Sequence, residues 1–377
     1  MKKLKVATVV GTRPEIIRLS RIIDKLDIHC DHKLIHTGQN YDFELNNIFF
    51  EELKVRKPDH FLESGKDSKS AAYSIGKIIM GIDEIFEKIK PEALLVLGDT
   101  NSCLAVISAK RRKIPIFHIE AGNRCFDYRV PEEINRKIVD HTSDINLTYS
   151  SIAREYLLRE GINPSQIIKI GSPMLEVINY FNKEIENSNI IKSLSLEKKK
   201  YFVVSVHREE NIDLQNNFVK VVDCINKIAN EYKMPIIFST HPRTRKNIER
   251  KNILFEKNVK LIKPLGYFDY VKLQTNARIV ISDSGTITEE SSILGFLAIN
   301  LRENHERPEG MEQASVILSG LNSQRVIQSI KVLEKQSSDN ANSFQKVYDY
   351  HHDNVSDKVV RIIHSYVDFV NQNVWKK

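Results

Sequence analysis

Several acidic residues in the first half of the chain stand where apolar runs end, and they are the first candidates for chemistry. Asp99 and Glu120 each follow such a run, while Glu132 and Glu133 come directly after a proline. Carboxyl groups that share a cleft tend to have split pKa values, so one can hold a proton while another accepts one. As a set these residues favour general acid–base catalysis. Taken singly, each is more typical of a helix cap or of an ion pair with a nearby arginine such as Arg136.

Two histidines in the second half of the chain stand in equivalent positions, each just after an apolar run. His207 opens the segment HREE, and His241 lies in THPR two residues before Arg243. A single histidine at such a point is more often a structural residue, but two in matching places favour a role in a site. No pair of His or Cys residues has the spacing of metal ligands on one element, so we expect no metal. The GxSxG turn of acyl-transfer enzymes is also absent.

Two loops have the composition of a phosphate site. The first, GTRPEIIR, starts at Gly11 and places Arg13 and Arg18 around the predicted start of a helix, whose N–H groups and positive dipole end favour an anion. It matches neither the dinucleotide fingerprint GxGxxG nor the Walker loop GxxxxGK[ST]. The simpler alternative is a helix start whose arginines are solvated.

The second loop, SDSGTITEE, is rich in hydroxyl groups and lies between an apolar strand and a predicted helix. Backbone N–H groups of Ser284, Gly285 and Thr286 could hold a diphosphate. Glu290, further into the helix, could accept hydrogen bonds from the two hydroxyls of a ribose. A sugar nucleotide would then satisfy both groups, with its diphosphate on the turn and its ribose on Glu290. The alternative is a simple helix cap with glutamate in the first turn. Arg307, in a charged loop after the next strand, either reaches the same crevice or is solvated.

Two series of short, β-rich apolar runs alternate with helical patterns along the chain. The first series spans residues 5–148 and the second residues 201–301. This alternation predicts βαβ units, so we expect an α/β protein of two doubly wound, Rossmann-like halves. The 377 residues also exceed what one hydrophobic core usually holds. Open sheets of this type bind ligands outside the carboxyl ends of their strands, where the acidic residues above are expected.

The boundary between the two domains is placed just after Gly171, which gives domains at 1–171 and 172–355. Apolar residues recur at helical intervals near the C-terminus, so residues 356–377 should form an amphipathic helix packed on one of the domains. The polar segment 334–343 is predicted to be a loop.

Composition narrows the class of protein and its compartment. The 56 basic residues are interspersed with 49 acids, which leaves a net charge of +7 without a block of like charge, so no nucleic-acid partner is expected. That excess suits a phosphorylated small ligand as well as it suits solubility. The four cysteines show no CxxC pairing, which favours a reduced, cytoplasmic protein. No apolar run is long enough to cross a bilayer, so we expect no membrane insertion.

The motifs together resemble one family along almost the whole chain. That family is the non-hydrolysing UDP-N-acetylglucosamine 2-epimerases, and the motifs are GTRPE, GDT at Gly98–Thr100, HIEAG at His118–Gly122, PEEINR at Pro131–Arg136, HREE, SDSG and ERPE at Glu306–Glu309. The resemblance implies the glycosyltransferase-B architecture, in which two Rossmann-like domains face a nucleotide cleft and the C-terminal helix returns to the first domain. It also implies a UDP-activated N-acetylhexosamine substrate, a homodimer and no cofactor.

The chemistry implied by the resemblance is inversion of C2 of the sugar. Because the C2 proton is too weakly acidic for simple removal, UDP is expelled across C1 and C2 to leave a 2-acetamidoglycal, which is reprotonated on the other face and recombined with UDP. Asp99, Glu120 and Glu132 would supply the acid and base groups. His207 would lie beside the departing diphosphate. UDP and the sugar would be held by Arg13, Arg18, Arg136, His241, Arg243, Ser284, Gly285, Thr286, Glu290 and Arg307.

Departures from the family pattern bear on substrate and regulation. Arg18 stands where the UDP-N-acetylglucosamine enzymes typically carry lysine, and Gln39–Asp42 reads QNYD where they carry QHRE in their regulatory site. Activation by UDP-N-acetylglucosamine is therefore an open question. The segments HTGQNYD, EAGNRCFD, HREENID and STHPR instead resemble the capsule and O-antigen branch, which converts UDP-2-acetamido-2,6-dideoxy-L-talose to UDP-N-acetyl-L-fucosamine. We expect that reaction here.

Other functions stay open at this point. Epimerisation of UDP-N-acetylglucosamine itself is the first alternative. A glycosyltransferase of the same fold would need an acceptor groove, whereas the acids after Ile119 favour proton transfer within the sugar. A hydrolysing epimerase would release free sugar and UDP. A non-catalytic sensor would bind UDP but exchange no proton.

Overall fold

The computed structural model contains two compact α/β units. It describes residues 2–39, 43–66, 69–339 and 346–377. The first unit comprises Met1–Tyr180 and Asp349–Lys377, and the second comprises Phe181–Tyr348. All four cysteines are free and buried. Within the described ranges, every helix is too short or too polar to cross a bilayer.

Each unit is built on a parallel sheet. The strands of the first unit are β1 (Lys5–Val10), β2 (Asp31–His36), β3 (His60–Phe61), β4 (Ala93–Leu97), β5 (Ile116–Ile119), β6 (Ile145–Thr148) and β7 (Ile167–Lys169). They form one sheet in the order β3-β2-β1-β4-β5-β6-β7. The strands of the second unit are β8 (Phe202–Ser205), β9 (Ile236–Ser239), β10 (Val259–Ile262), β11 (Ile279–Ser282), β12 (Ala298–Asn300) and β13 (Ile317–Leu318). Their order is β10-β9-β8-β11-β12-β13, so both sheets are doubly wound and the predicted fold class is confirmed.

The helices connect successive strands and cover the sheets. Those before the second unit are α1 (Arg13–His29), α2 (Phe43–Glu52), α3 (Ala71–Ile89), α4 (Val106–Arg111), α5 (Pro131–Thr142), α6 (Ser151–Arg159) and α7 (Met174–Tyr180). Those of the second unit are α8 (Asn182–Asn187), α9 (Ile190–Ser193), α10 (Glu209–Ile212), α11 (Gln215–Tyr232), α12 (Pro242–Arg250), α13 (Tyr267–Asn276), α14 (Thr286–Leu294), α15 (Pro308–Glu312) and α16 (Ser323–Asp339). The last helix is α17 (Val355–Asn373), and short 3-10 turns lie at Asn101–Ala105, Pro164–Gln166 and Tyr348–Tyr350.

The central strands are buried throughout, as strands of a parallel sheet covered by helices on both faces must be. Every residue of β4 and of β5 is buried. Leu94 and Val96 of β4 share a core cluster with Ile78 and Ile82, which lie one helical turn apart on α3. Because the interior of such a strand is committed to packing, polar groups of a site are confined to its carboxyl end and the loop beyond.

The second unit repeats this arrangement. Phe202 and Val204 of β8 pack in one cluster with residues of α11, including Phe218. The intervening Val203 belongs to a separate cluster with Leu273 of α13. Alternate residues of β8 therefore face opposite sides of the sheet, which is the two-residue period of a strand buried on both faces.

The predicted strands all form, with slightly shifted ends. Three short edge strands, β3, β7 and β13, have no counterpart in the prediction because two or three residues are too few to show a periodic pattern. The loop predicted at 334–343 is wrong for residues 334–339, which continue α16. Ile330 and Leu333 are buried on that helix, and the glutamate, lysine and glutamine that follow favour helix intrinsically.

The first unit extends past the predicted boundary at Gly171 and includes α7. Helix α7 packs on α1, and its Glu176 accepts a hydrogen bond from the Ser356 N–H at 2.8 Å, so it also caps the start of α17. Helix α17 belongs to the first unit and packs along α1. These contacts explain why the polypeptide leaves the first unit after Tyr180.

Candidate active site

Arg136 links two acidic residues beyond the carboxyl end of β4. Its Nε lies 2.8 Å from Asp99 Oδ2, and its Nη1 lies 2.9 Å from Glu133 Oε2. The Arg136 side chain is 3% exposed and that of Glu133 is 0% exposed, whereas that of Asp99 is 21% exposed. Asp99 is therefore the member of this cluster that a ligand can reach, with its charge balanced from behind by Arg136.

Glu133 fixes the loop that leads into α5. It accepts hydrogen bonds from the N–H groups of Cys125 at 3.0 Å and Phe126 at 3.2 Å. Burial raises the pKa of Glu133, but these hydrogen bonds and the Arg136 guanidinium outweigh burial and hold the pKa below its usual value. The neighbouring Glu132 lies partly exposed on the first turn of α5. Of the two glutamates, Glu132 is the better candidate for chemistry.

Glu120 follows β5 in a strained backbone conformation. Its φ is 70°, in the left-handed region, which costs a non-glycine residue about 1–3 kcal/mol. The carboxylate Oε2 lies 2.7 Å from Arg18 Nη1, with the two side chains 8% and 6% exposed. Strain of this kind persists only where the surroundings impose it, and it clusters at functional sites.

Asp99 and Glu120 lie at the same edge of the first sheet. Strands β4 and β5 are paired in parallel, with Leu97 opposite Ile119, so both strands end at the same level. The Gly98 N–H donates a hydrogen bond to the Ile119 carbonyl at 2.9 Å. The strands are therefore still paired at the residues that directly precede Asp99 and Glu120. The predicted convergence of these carboxylates on one crevice of the sheet therefore has its geometric basis in the strand register.

A carboxylate of the chain itself occupies the start of α1. Glu15 accepts hydrogen bonds from the N–H groups of Gly11 at 2.8 Å and Thr12 at 2.7 Å, and from the Thr100 hydroxyl at 2.8 Å. Burial raises the pKa of Glu15. The N–H groups of Gly11 and Thr12 are thus used within the chain, and this end of α1 has the geometry of a capped helix start.

The two arginines of the same loop have different environments. Arg18 is buried against Glu120, so the alternative of a solvated side chain is wrong for it. Arg13 is partly exposed, and its guanidinium carbon lies 5.5 Å from the ring centroid of Phe49.

Of the predicted regulatory segment, Gln39–Asp42, residues 40–42 lie outside the described residues. Gln39 accepts a hydrogen bond from the Ser102 N–H at 3.1 Å.

In the second unit, a buried aspartate joins two of the predicted loops. Asp283, 0% exposed and directly after β11, accepts hydrogen bonds from the N–H groups of His207 at 3.1 Å and Arg208 at 2.9 Å and from the Asn211 side chain at 3.1 Å. His207 Nδ1 lies 3.4 Å from Asp283 Oδ1, and the His207 side chain is 44% exposed. The HREE and SDSG loops, which follow the paired strands β8 and β11, are therefore held together with His207 accessible.

The SDSG turn is closely packed around its glycine. Ser284 Oγ lies 3.0 Å from Thr286 Oγ1, and α14 begins at Thr286. A Cβ atom on Gly285 would come 2.3 Å from Glu306 Oε1, so a larger residue here would have to displace the Glu306 carboxylate or the turn. The Glu306 carboxylate in turn accepts a hydrogen bond from Arg208 Nη2 at 2.8 Å and pairs with the buried Arg302. The turn therefore borders a cluster of buried ion pairs.

Arg307 and Glu290 both lie inside the second unit. Arg307 is 3% exposed, and its Nη2 lies 3.5 Å from Glu289 Oε2, so the alternative of a solvated loop arginine is wrong. Glu290 is 7% exposed, and its Oε2 accepts a hydrogen bond from Gln274 Nε2 at 2.8 Å. Both residues are held by the helices around the SDSG turn.

His241 and Arg243 lie at the start of α12. His241 Nδ1 accepts a hydrogen bond from the Arg243 N–H at 3.4 Å and acts as a helix cap. The exposed Arg243 pairs with Asp213. The Thr244 hydroxyl donates to the Val206 carbonyl at 3.1 Å, which ties this loop to the strand end before His207. Structural roles account for these contacts of His241 and Arg243.

Sequence reasoning missed the residues that hold the candidate side chains in place. The sequence motifs contain Asp283, Glu306 and Glu15 but do not show which groups these side chains contact. Asp283 carried a usable signal, because it follows an apolar strand just as the acids of the first unit do. Among the residues that the structure describes, no cluster of three or more His, Cys, Asp or Glu side chains is arranged to hold a metal ion.

Comparison with known proteins places the chain in one family. The family model described as UDP-N-acetylglucosamine 2-epimerase matches residues 24–364. A UDP-N-acetylglucosamine 2-epimerase homolog from Methanococcus maripaludis is 38% identical over 96% of this chain and 99% of its own. The UDP-2,3-diacetamido-2,3-dideoxy-D-glucuronate 2-epimerase of Pseudomonas aeruginosa is 31% identical over 87% of this chain and 92% of its own.

Solved structures agree with these relatives. A UDP-N-acetylglucosamine 2-epimerase from Rickettsia bellii has a TM-score of 0.91 and 48% identity, with both chains covered completely. The Methanocaldococcus jannaschii UDP-GlcNAc 2-epimerase, solved in complex with UDP-GlcNAc and UDP, has a TM-score of 0.87 and 34% identity over 96% of this chain and 100% of its own. The chain therefore belongs to the UDP-N-acetylglucosamine 2-epimerase family and is an isomerase.

Proposed function

We propose that this isomerase inverts C2 of a UDP-activated N-acetylhexosamine without hydrolysing it, by eliminating UDP and adding it back. The observation that carries the proposal is the pair of carboxylates at the ends of neighbouring strands, Asp99 after β4 and Glu120 after β5. Each lies against a buried arginine, Arg136 or Arg18. Two carboxyl groups at one sheet edge can take a proton from one face of a sugar and deliver one to the other.

The proposed reaction has two halves that mirror each other. A base removes the C2 proton, the electron pair of that C–H bond forms the C1=C2 double bond, and the C1–O bond breaks with its electron pair leaving on UDP. An acid then donates a proton to C2 from the opposite face, and the β-phosphate oxygen of UDP forms the bond to C1 again. Because base and acid finish the cycle with their protonation exchanged, solvent protons must reset them. We assign these transfers to Asp99, Glu120 and Glu132.

The second unit supplies the proposed UDP site. Helix α14 starts directly after Ser284 and Gly285, so the N–H groups of this turn can receive the diphosphate, and His207 stands at the neighbouring strand end. Arg307 and Glu290 are assigned to the phosphates and the ribose hydroxyls. The complex of the Methanocaldococcus jannaschii relative with UDP-GlcNAc and UDP supports a UDP-sugar as the ligand class.

Two hexosamines compete as the substrate. The segments HTGQNYD, EAGNRCFD, HREENID and STHPR favour UDP-2-acetamido-2,6-dideoxy-L-talose, with UDP-N-acetyl-L-fucosamine as the product, and we propose this reaction first. The names of several relatives favour UDP-N-acetylglucosamine as the second candidate. The Pseudomonas aeruginosa relative is named for a third UDP-sugar, so family membership alone leaves the hexosamine undetermined.

Incubation of the protein in deuterated water with each nucleotide sugar tests both parts of the proposal. Proton NMR should show the C2 epimer carrying deuterium at C2, with the UDP-sugar bond retained in both epimers. We expect the higher kcat/KM with the L-talo nucleotide. A higher kcat/KM with UDP-N-acetylglucosamine would move the assignment to the second candidate.

The same incubation separates the remaining classes of function. Accumulation of UDP in proportion to substrate consumed would indicate a hydrolysing epimerase. Transfer of the sugar to an added acceptor, with C2 unchanged, would indicate a glycosyltransferase. Binding of UDP without deuterium exchange for either nucleotide would indicate a sensor. Any of these three results would contradict the proposal.

A further inference from the structure

The turn that carries Asp99 is held by side chains from distant parts of the first unit. Gly98 adopts a φ of 82°, which glycine tolerates without strain. Asn135 Nδ2 donates a hydrogen bond to the Asp99 carbonyl at 2.9 Å, and the Thr100 hydroxyl donates to Glu15 Oε1 at 2.8 Å. The backbone on both sides of the Asp99 side chain is therefore fixed from outside the turn.

A buried histidine holds Gly98, the residue that precedes Asp99 in this turn. His118 lies on β5, is 1% exposed, and its Nε2 lies 2.8 Å from the Gly98 carbonyl oxygen. Since a carbonyl oxygen only accepts hydrogen bonds, Nε2 carries the hydrogen and donates. The other ring nitrogen, Nδ1, lies 2.9 Å from Oδ1 of Asp140, which is 0% exposed. The hydrogen bond from Nε2 orients the ring, and Nδ1 lies close to the Asp140 carboxylate without hydrogen-bond geometry.

Asp140 connects this histidine to the loop after Glu120. Its carboxylate lies 2.6 Å from Arg124 Nη1 and 3.2 Å from the Gly122 N–H. Burial raises the pKa of Asp140, but His118 and Arg124 outweigh burial and hold the pKa below its usual value. Buried charges are costly to assemble, and apolar residues of similar size would fill the same space at lower cost. The cluster of His118, Asp140 and Arg124 holds the Asp99 turn and the loop after Glu120 together. Apolar residues could not make these polar contacts.

We propose that His118 is a positioning residue for the epimerisation. Through the Gly98 carbonyl it sets the direction of the Asp99 carboxylate, and through Asp140 it couples that turn to the loop that follows Glu120. The inference rests on the proposed function, which makes Asp99 and Glu120 the proton-transfer groups. A displacement of about 1 Å in such a group is enough to reduce a reaction rate by about 100-fold.

The same unit provides a matched control for a merely stabilising role. His32, at the amino end of β2, is a buried histidine that also pairs with an aspartate, although this aspartate is 30% exposed: His32 Nδ1 lies 2.6 Å from Asp27 Oδ1, and His32 Nε2 lies 2.8 Å from Thr8 Oγ1. This pair lies at the strand starts, away from the edge that carries Asp99 and Glu120. Substitutions of His32 therefore report the cost of removing a buried histidine from a His–Asp pair without disturbing Asp99 or Glu120.

The test compares His118→Gln, His118→Asn and His32→Asn in the deuterium-exchange assay. The Gln amide can reach the Gly98 carbonyl in place of Nε2, whereas the shorter Asn amide can reach only Asp140. We expect His118→Asn to lower kcat about 30-fold with KM within about threefold of wild type, and His118→Gln to recover most of that loss. His32→Asn should lower Tm, because it breaks the contacts with Asp27 and Thr8, while kcat stays within about twofold of wild type.

The possible outcomes separate this inference from the proposed function. A wild-type protein that exchanges no C2 hydrogen overturns the proposed function itself. A wild-type protein that exchanges C2 hydrogen, together with a His118→Asn variant that is equally fast, overturns only the role of His118. The role of His118 is likewise overturned if Gln recovers no more activity than Asn, or if His32→Asn loses as much kcat.

Discussion

Arg136 and Arg18 each lie against a carboxylate at the end of a strand, and both arginines are almost completely buried. A buried ion pair adds little to stability over apolar residues of the same size, but removing one partner leaves a charge without compensation. These arginines therefore hold the Asp99 and Glu120 side chains in place. Replacing an arginine tests what the ion pair contributes to stability. Replacing Asp99 or Glu120 tests what the carboxyl group contributes to the reaction.

Arg136→Met should destabilise the protein strongly because it leaves both Asp99 and Glu133 without their guanidinium. We expect a loss of about 3–5 kcal/mol in the free energy of unfolding, measured by urea denaturation at neutral pH. Arg129→Met is the matched control: Arg129 pairs with Asp127 near the same helix but is 76% exposed, and its loss should cost less than about 1 kcal/mol. Equal losses in the two variants would contradict this description of Arg136.

Glu133 should contribute stability that depends on pH. Because its folded-state pKa lies below the ordinary value of 4.5, the ionised form favours the folded state, and the contribution is lost as pH falls through the folded-state pKa. The destabilisation caused by Glu133→Gln should therefore be constant, at about 1–3 kcal/mol, between about pH 6 and pH 8, and should shrink below about pH 4.5. Urea denaturation across that range measures it, and a destabilisation that grows on acidification would contradict the assignment.

The positions of Asp99 and Glu120 at strand ends could be predicted from sequence because each follows an apolar run closely. The left-handed backbone of Glu120 and the part that Glu15 plays at the start of α1 could not. Both depend on contacts between segments far apart in the chain, such as the hydrogen bond between Thr100 and Glu15. The sequence shows which residue types are present, whereas their partners follow only from the register of the sheet.

At the scale of elements, the start of α14 depends on a glycine that leaves room for Glu306. A Cβ on Gly285 would come 2.3 Å from Glu306 Oε1, so Gly285→Ala must displace either Glu306 or the turn. We expect the Kd for UDP, measured by calorimetry, to rise at least about tenfold, with a loss of about 1–3 kcal/mol in stability. Gly76→Ala on α3 is the control, since a Cβ there meets nothing within 4 Å and should leave UDP affinity unchanged. Unchanged UDP affinity in Gly285→Ala would contradict the proposed UDP site.

The long elements could be predicted because their patterns repeat over many residues, as the buried strands β1 and β4 show. The short edge strands β3, β7 and β13 could not, since their pairing comes from the neighbouring strand rather than from their own composition. The last turns of α16 differ from the predicted loop because a polar sequence is compatible with either a loop or a solvent-exposed helix. A helix whose buried face ends at Leu333 can continue into solvent on intrinsic propensity alone.

In the whole molecule, the six-stranded sheet of the second unit repeats the order of the first six strands of the first unit, whose sheet has a seventh strand, β7. This duplication could be predicted because two series of alternating strands and helices fill the chain. The identity of the sugar could not, because it depends on a few contacts that the family's shared motifs do not specify. Because we propose proton transfer by residues of the first unit and UDP binding by residues of the second, exchange at C2 and UDP affinity should respond to different substitutions.

Asp99 and Glu120 are the residues that we propose to move the hydrogen at C2. The most direct measurement is the rate of deuterium incorporation at C2 of the nucleotide sugar by wild type, Asp99→Asn and Glu120→Gln, with the Kd for UDP determined in parallel. The account predicts that each variant lowers the exchange rate by at least about 100-fold, while the Kd for UDP stays within about threefold of wild type. Exchange at the wild-type rate in both variants would contradict it.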